Sequence, residues 1–370
     1  FFWQAPHGPA ASGMTGYQGF FYHFLDMSNG HRFKDVELST VDTSLLLAGV
    51  LFCQSYFDGA NPDETSIRAY ADSLYQNADW NWASPRAPLI GMGWTPEQGF
   101  GTYDWRGYDE AMLVYILALG SPTHPIAPEG WNAWTSTYQW GSFHGLDQVG
   151  FAPLFGHQFS HIWIDFRGIQ DEYMRGHGID YFENSRRATL SQHDYAIENP
   201  MGWQAYGDSL WGLSASDGPS DSTLMIDGRP RQFFTYAARG AAQTEVRDDG
   251  TIAPTALGGS LPFAPSITLA TLISMRHRYG DALFSTYGFF DALNPSFPAS
   301  SPPAMGRMYP GLGWVDTDYL GIDQGPIIAM AENYRTGLIW RYMRKNPNII
   351  RGLQRAGFQG GWLTQAGVTP

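Results

Sequence analysis

The sequence predicts an all-α fold, a toroid of helical hairpins, and three observations predict it. Apolar residues recur at helical spacing along most of the chain, whereas the strict alternation of a half-buried strand is scarce. The helical segments come in successive pairs. The connections between pairs are long, rich in Gly and Pro, and carry Trp, Asp and Arg instead of small polar residues alone, as expected of loops around a pocket at one end of the ring.

The elements follow in order. Segment 41–57 is apolar at helical spacing, and Ser39-Thr40 supplies hydroxyls to cap its first amides. Asn61-Pro62 opens a second helix, 63–77, with proline in the first turn, where its missing N–H costs nothing. A third helix is expected over 109–119, stopped by Gly120 and Pro122, and a fourth over 128–138. Helices 151–165 and 184–197 follow. Pro265 opens one that Gly280 closes, and 324–345 is the last, ended by Asn346-Pro347. The long connections are 84–107, 202–228, 248–265 and 294–321. No linker or composition break divides the chain, so residues 1–370 read as one domain. FFWQ at Phe1 reads as the inside of a helix, so the toroid is expected to lack its first hairpin here.

Composition narrows the function classes. Aromatic residues make up 15% of the 370 residues and charged residues only 15%. Aromatic rings offer flat apolar faces that fill cores and also stack on sugar rings. The net charge of −13, without any basic run, argues against binding a nucleic-acid backbone. No stretch is long and apolar enough to span a membrane. The single Cys53 lies in LLLAGVLFCQSYF and reads as a core thiol; one cysteine forms no internal disulfide.

Segment 151–189 is the richest in chemistry. It sets His157, His161, Asp165, Arg167, Asp180, Glu183 and Asn184 among aromatics, and buried charge is costly unless paired or used. His157, His161 and Asp165 recur every four residues, a spacing that would gather metal ligands on one helix face, but no HExxH pattern accompanies them. Hydrogen bonding in a pocket wall, with Arg167 pairing Asp165, suits them better, and a purely structural role suits them as well.

Five other constellations stand out. In WRGYDE, Glu110 opens an apolar helix; it is either a helix N-terminal acid or a glycosidic acid whose proton is held by burial among Trp105 and Tyr108. In GIDQGP, Asp323 is either a cap or a general base turned into a pocket. Asp42 in ELSTVDT either caps or lines a pocket, while Asp35 and Glu37 read as solvated. Trp211 and Asp217 in WGLSASDGP suit a sugar subsite, stacking plus a carboxylate, or a plain turn. The tetrapeptide Gly207-Asp208-Ser209-Leu210 spells a lipase-like motif but lies in a Trp-rich loop instead of a strand-to-helix elbow, and reads as accidental.

These residues carry a resemblance. The runs YHFLDM, ELSTVDTSLLLAGVLF, WRGYDEAMLVYILALGSPTHP, HIWIDFRGIQD, DYFENSRRAT, YGDSLWGLSASDGP, DGTIAPTALGGSLPFAP and GIDQGPIIAMAENYRTGLIW resemble the glycoamylase-like domain family, which includes glycoside hydrolase family 144, the bacterial endo-β-1,2-glucanases. The resemblance extends over nearly the whole chain from Tyr17. It implies an (α/α)6 barrel, an inverting two-carboxylate hydrolysis of β-1,2-glucan, an oligo- or polysaccharide as partner, no cofactor or metal, and a periplasmic or secreted location. By the same resemblance Glu110 matches the general acid and Asp323 the base. Asp42 stands at a position commonly Glu in those enzymes, and Ser39 stands where they carry another acid, a departure that bears on specificity. Trp131, Trp140, Trp203 and Trp211 would line subsites. A transglycosylase, an exo-acting glucosidase on a related glucan, a non-catalytic periplasmic glucan-binding protein and a zinc enzyme at His157 and His161 are the alternatives.

Overall fold

The computed structural model describes residues 1–366. It corrects the all-α expectation: short β-strands lie between the helices along the whole chain, so the fold mixes both element types. The chain divides into two compact units, one formed by residues 1–138, 163–181 and from 338 onward, the other by 139–162 and 182–337.

The first unit joins helices to a five-stranded antiparallel sheet of strands Gly16–Tyr17, Phe20–Tyr22, Leu38–Ser39, Gly93–Thr95 and Gly99–Phe100, neighbours in that order. Aromatic side chains suit this pleated surface. Tyr17, Phe20, Trp82, Trp94 and Phe100 meet one another at ring separations of 4.7 to 6.0 Å. Strand Leu38–Ser39 runs straight into helix Thr40–Tyr56, and Ser39 caps it by accepting from the Asp42 amide, as its hydroxyl predicts. Asn61 caps helix Pro62–Gln76 in the same way. Helix Met112–Gly120 is buried along all nine residues. It packs against helix Pro347–Arg355 at two glycines: a Cβ on Gly120 would meet the Asn348 carbonyl oxygen at 2.2 Å, and one on Gly352 the Ile116 oxygen at 2.1 Å. Helices Glu129–Thr135, Glu172–His177 and Leu338–Met343 complete the helices between residues 1 and 355 in this unit. Residues 1–5 form turns, not the inside of a helix.

The second unit is built on helices Tyr181–Glu198, Pro254–Gly258, Pro265–Tyr279 and Gly321–Thr336. A core of Leu210, Trp211, Ile252, Leu257, Met275, Leu293 and Val315, among others, is shared with strands. The expected helix 151–165 is broken: a 3-10 turn, Leu154–His157, precedes a short helix, Phe159–Trp163. Pro153 lacks the N–H a continuous helix would need there. The expected helix 324–345 is two helices, because Gly337 adopts the left-handed conformation (φ 67°) that ends Gly321–Thr336.

The expected loops hold much of the β-structure: 202–228 contains strands Ala215–Asp217 and Ser222–Ile226, and 294–321 contains Arg307–Tyr309 and Gly313–Val315. Hairpins Trp140–Phe143 with Leu146–Val149 and Ser222–Ile226 with Arg229–Phe233 turn on His144-Gly145 and Asp227-Gly228, pairs with positive φ that match the twist of a two-residue turn. Among the described residues no helix is long and apolar enough to cross a membrane.

Candidate active site

Each unit gathers carboxyls that burial has raised. In the first unit Glu110 lies in the turn before helix Met112–Gly120, not within its first turn, so the helix-acid reading gives way to a turn residue. The chain reverses at Gly107 (φ 88°), whose amide donates to the Trp134 carbonyl at 2.9 Å. Asp109, the adjacent acid, braces the turn: its Oδ1 accepts from the Ala111 amide at 2.9 Å and from Trp134 Nε1 at 3.4 Å. Burial pushes the Asp109 carboxyl well above the ordinary range, and the Glu110 charge adds to it. Glu110 keeps a partly open surface although protein crowds it, and this crowding raises its pKa to about 7; its own backbone amide opposes the rise and the Asp42 charge reinforces it.

Asp42 sits in the first turn of Thr40–Tyr56. Ser39 Oγ donates to Asp42 Oδ2 at 2.5 Å while accepting from the Asp42 amide at 3.2 Å. Glu37 keeps an open side chain, as expected, and meets His23 Nδ1 at 2.8 Å, while His23 Nε2 lies 3.6 Å from Asp42. Trp105 donates from Nε1 to Thr40 Oγ1 at 2.9 Å and accepts the Tyr115 hydroxyl on its carbonyl at 2.9 Å, which ties the GYDE turn to the start of that helix. Tyr108 is buried and lies parallel to Tyr181 at 6.0 Å. Trp131 is buried as well, and its Nε1 donates to Asp171, which also accepts from the Tyr181 hydroxyl. Sequence reasoning passed over Asp171. Asp165 holds Arg167 in a two-bonded pair at 2.7 and 2.6 Å and also pairs with Arg344, while Arg167 lies 4.3 Å over the Trp340 ring.

In the second unit four aspartates converge. Asp291 lies two residues before strand Leu293–Asn294, and Asp316 directly follows strand Gly313–Val315; the antiparallel register pairs Leu293 with Val315, so the two acids leave the same end of the sheet. The Asp217 amide donates to Asp291 Oδ2 at 2.6 Å. Asp323 occupies the first turn of Gly321–Thr336 without capping it; Leu320 is the cap position and makes no side-chain bond. The Asp323 charge acts on the Asp291 carboxyl. Burial raises all four: Asp323 and Asp316 to about 6, Asp291 well above the ordinary range with the Asp323 charge adding, and Asp217 upward with the Asp318 charge adding. Oxygens of Asp217, Asp291 and Asp316 lie within 4.8 Å of one another, the grouping among the described residues that could hold a metal ion.

The other sequence candidates fall as follows. His157 lies in the 3-10 turn and His161 in the short helix after it, so the regular four-residue face does not form. His157 Nε2 is 3.0 Å from the Phe151 carbonyl, and His161 Nε2 is 3.1 Å from Ser185 Oγ. Burial lowers both pKa values, that of His157 to about 4, so both rings are neutral near pH 7. Asn184 accepts from the Val149 amide at 2.8 Å and fixes helix Tyr181–Glu198 to strand Leu146–Val149. Trp211 is 0% exposed and donates to Thr271 Oγ1, which leaves no surface for a sugar. Trp203 is buried beneath the Arg231 guanidinium, 4.5 Å over its ring. Trp140 alone among the tryptophan candidates keeps a half-exposed face. Ser209 is exposed in a turn bridged by Gly207 and Leu210, outside any strand-to-helix elbow. Cys53 is half-buried, not a core thiol.

Comparison with known proteins bears on this geometry. The model of the glycoamylase family, described as "Putative glucoamylase", matches residues 102–347. A curated relative from Parabacteroides distasonis, an exo β-1,2-glucooligosaccharide sophorohydrolase acting at the non-reducing end, is 28% identical over 372 residues, which cover 92% of this chain and 47% of the relative. The chain thus spans about half the length of that relative. A solved structure from Bacteroides uniformis, described as a "putative glucoamylase", is 30% identical with a TM-score of 0.77, covering 94% of this chain and 78% of that one. An endo-β-1,2-glucanase from Chitinophaga pinensis, solved with sophorotriose and glucose, is 26% identical with a TM-score of 0.76, covering 93% and 78%.

Proposed function

Because the chain belongs to the glycoamylase family, we propose that it is a glycoside hydrolase that cleaves β-1,2-glucan by an inverting two-carboxylate mechanism, with residues 1–370 working as one catalytic domain. The observation that carries this reading is Glu110, a crowded carboxyl in the turn that follows Trp105 and Tyr108 in the chain, whose pKa of about 7 keeps its proton available near neutrality. The names of the P. distasonis and C. pinensis relatives support the linkage.

Glu110 is the acid: it delivers its proton to the glycosidic oxygen as the bond from C1 to that oxygen breaks. Asp323 is the base: with a pKa of about 6 it is largely ionised near neutrality and takes a proton from the water that attacks C1. Water's oxygen ends on C1, one of its protons on Asp323, and the Glu110 proton on the departing sugar, so the sum is hydrolysis with inversion. Asp42 tunes Glu110 through its charge, and Asp217, half-open beside the second carboxyl group, grips sugar hydroxyls.

Incubation with linear β-1,2-glucan, followed by product analysis beside a Glu110→Gln variant, tests the reading. A ladder of short oligosaccharides from the unaltered protein alone is expected for endo action, and a single small product for exo action. Longer or cyclic products would replace hydrolysis with transglycosylation. Binding without any product would replace the enzyme with a glucan-binding protein.

A further inference from the structure

Three carboxylates of the second unit converge from separate elements. Asp217 ends strand Ala215–Asp217, Asp291 precedes strand Leu293–Asn294, and Asp316 follows strand Gly313–Val315. One oxygen from each lies within 4.8 Å of the other two. Ligand oxygens stand about 2.3–2.6 Å from a calcium ion, so two on opposite sides of it are about 4.6–5.2 Å apart and every other pair is closer. The three oxygens therefore fit around one ion.

A second observation is independent of that spacing. Asp291 is 2% exposed and Asp316 1%. Each accepts a backbone amide on Oδ2, Asp291 from Asp217 at 2.6 Å and Asp316 from Asp318 at 3.4 Å, and such donors favour the ionised form. The Oδ1 atoms of both are buried and accept from no protein donor. A buried carboxylate oxygen without a partner is costly, and here there are two in one cluster. No Lys, Arg or His among the described residues forms an ion pair with any of the three acids; Arg239 is committed to Asp249 at 2.6 Å and reaches Asp217 only at its backbone carbonyl, 3.3 Å away. The Asp318 charge adds to the negative field on both Asp217 and Asp316.

We infer that Asp217, Asp291 and Asp316 bind a divalent cation, and that the cation is calcium. Asp291 and Asp316 hold it from the buried side through the oxygens that no amide takes, and Asp217 holds it from the half-open side, where water completes the shell. The donors are all carboxylate, without His or Cys, which suits a hard cation and not zinc or copper. Magnesium demands a near-ideal octahedron and keeps several waters, which a set of ligands held this deep by backbone amides does not favour. The ion ties together three segments distant in sequence. It also offsets the charge that Asp217 and Asp316 place on Asp323, so the value of about 6 for Asp323 is that of the cation-free protein. The inference stands on the geometry of the second unit and does not depend on which reaction the protein catalyses.

Isothermal titration of chelator-treated protein with calcium chloride near pH 7.5 tests it without substrate. A single site with a Kd below about 10⁻⁴ M is expected, together with a melting temperature raised by about 3 °C or more at saturation. Asp217→Asn, at the half-open position, should weaken binding at least tenfold, and Asp316→Asn at least as much; if the second variant fails to fold, the first still decides. No heat and no melting shift in the unaltered protein would overturn the inference and mean that protons neutralise the acids instead. Equal affinity in the unaltered protein and in Asp217→Asn would overturn it in favour of loose binding by surface acids. Equal stabilisation by magnesium chloride would overturn the choice of calcium. Calcium binding at the expected affinity in a protein that leaves β-1,2-glucan intact would uphold this inference and sink the enzyme reading alone.

Discussion

Glu110 in the first unit and Asp323 in the second are both carboxyls raised by burial, yet their surroundings differ in kind. Glu110 sits in an aromatic turn where Asp109 accepts from the Ala111 amide and Asp42 is held by Ser39. Asp323 sits among three further buried or half-buried aspartates. Burial, reinforced by the Asp42 charge, makes Glu110 hold its proton to about pH 7. In the second unit burial and the neighbouring carboxylates push Asp291 and Asp323 upward together, Asp323 to about 6. The difference teaches that one pressure, desolvation, raises carboxyls in both units, while the neighbours that answer it differ.

The comparison breaks first at Glu110. Glu110→Gln should lower kcat on β-1,2-glucan by about 10³-fold, the scale of a lost general acid, and a loss under tenfold would remove it from that role. The same variant sharpens the electrostatic side. The folded pKa of Glu110 lies above its unfolded value, so its contribution to stability is whole at low pH and is lost as pH rises through about 7. The Gln variant should therefore match the wild-type melting temperature near pH 4 and exceed it at pH 8; the reverse order would show that the carboxylate is stabilised where it sits.

Next come the two structural ion pairs, which contrast the units in another way. Arg239 and Asp249 are fully enclosed at 2.6 Å, whereas Arg167 is half-exposed and shares Asp165 with Arg344. Asp249→Ala would strand a buried guanidinium and should cost about 3–4 kcal/mol in chemical denaturation. Arg167→Ala leaves Asp165 paired with Arg344 and should cost under about 1 kcal/mol. Similar costs for both would mean that enclosure does not govern these pairs.

How much of this was legible in the sequence follows from the length of each signal. Helix starts at Ser39 and Asn61 were readable because a cap is a single side chain acting on the next amides. Helix Pro265–Tyr279 was readable because proline and glycine bracket it. The strands were not, because they run two to five residues, too short for alternation to show. Only their turns left a trace, in Gln18-Gly19, His144-Gly145 and Asp227-Gly228. Glu110 and Asp323 were marked by their motifs. Asp291 and Asp316 were not, since each is a lone acid at a strand end, and only the register of Leu293 with Val315 brings them together. The burial of Trp211 was equally hidden: composition says that a chain is aromatic, not which ring the core takes.

The central claim is that environment alone sorts two carboxyls into acid and base, and the pH–rate profile of the unaltered protein on linear β-1,2-glucan tests it most directly. Activity should fall below about pH 6 as Asp323 takes up a proton, fall above about pH 7 as Glu110 loses one, and peak narrowly between. The alkaline limb should vanish in Glu110→Gln together with most of the rate. A profile flat from pH 5 to 8, or an alkaline limb that survives unchanged in Glu110→Gln, would contradict the account.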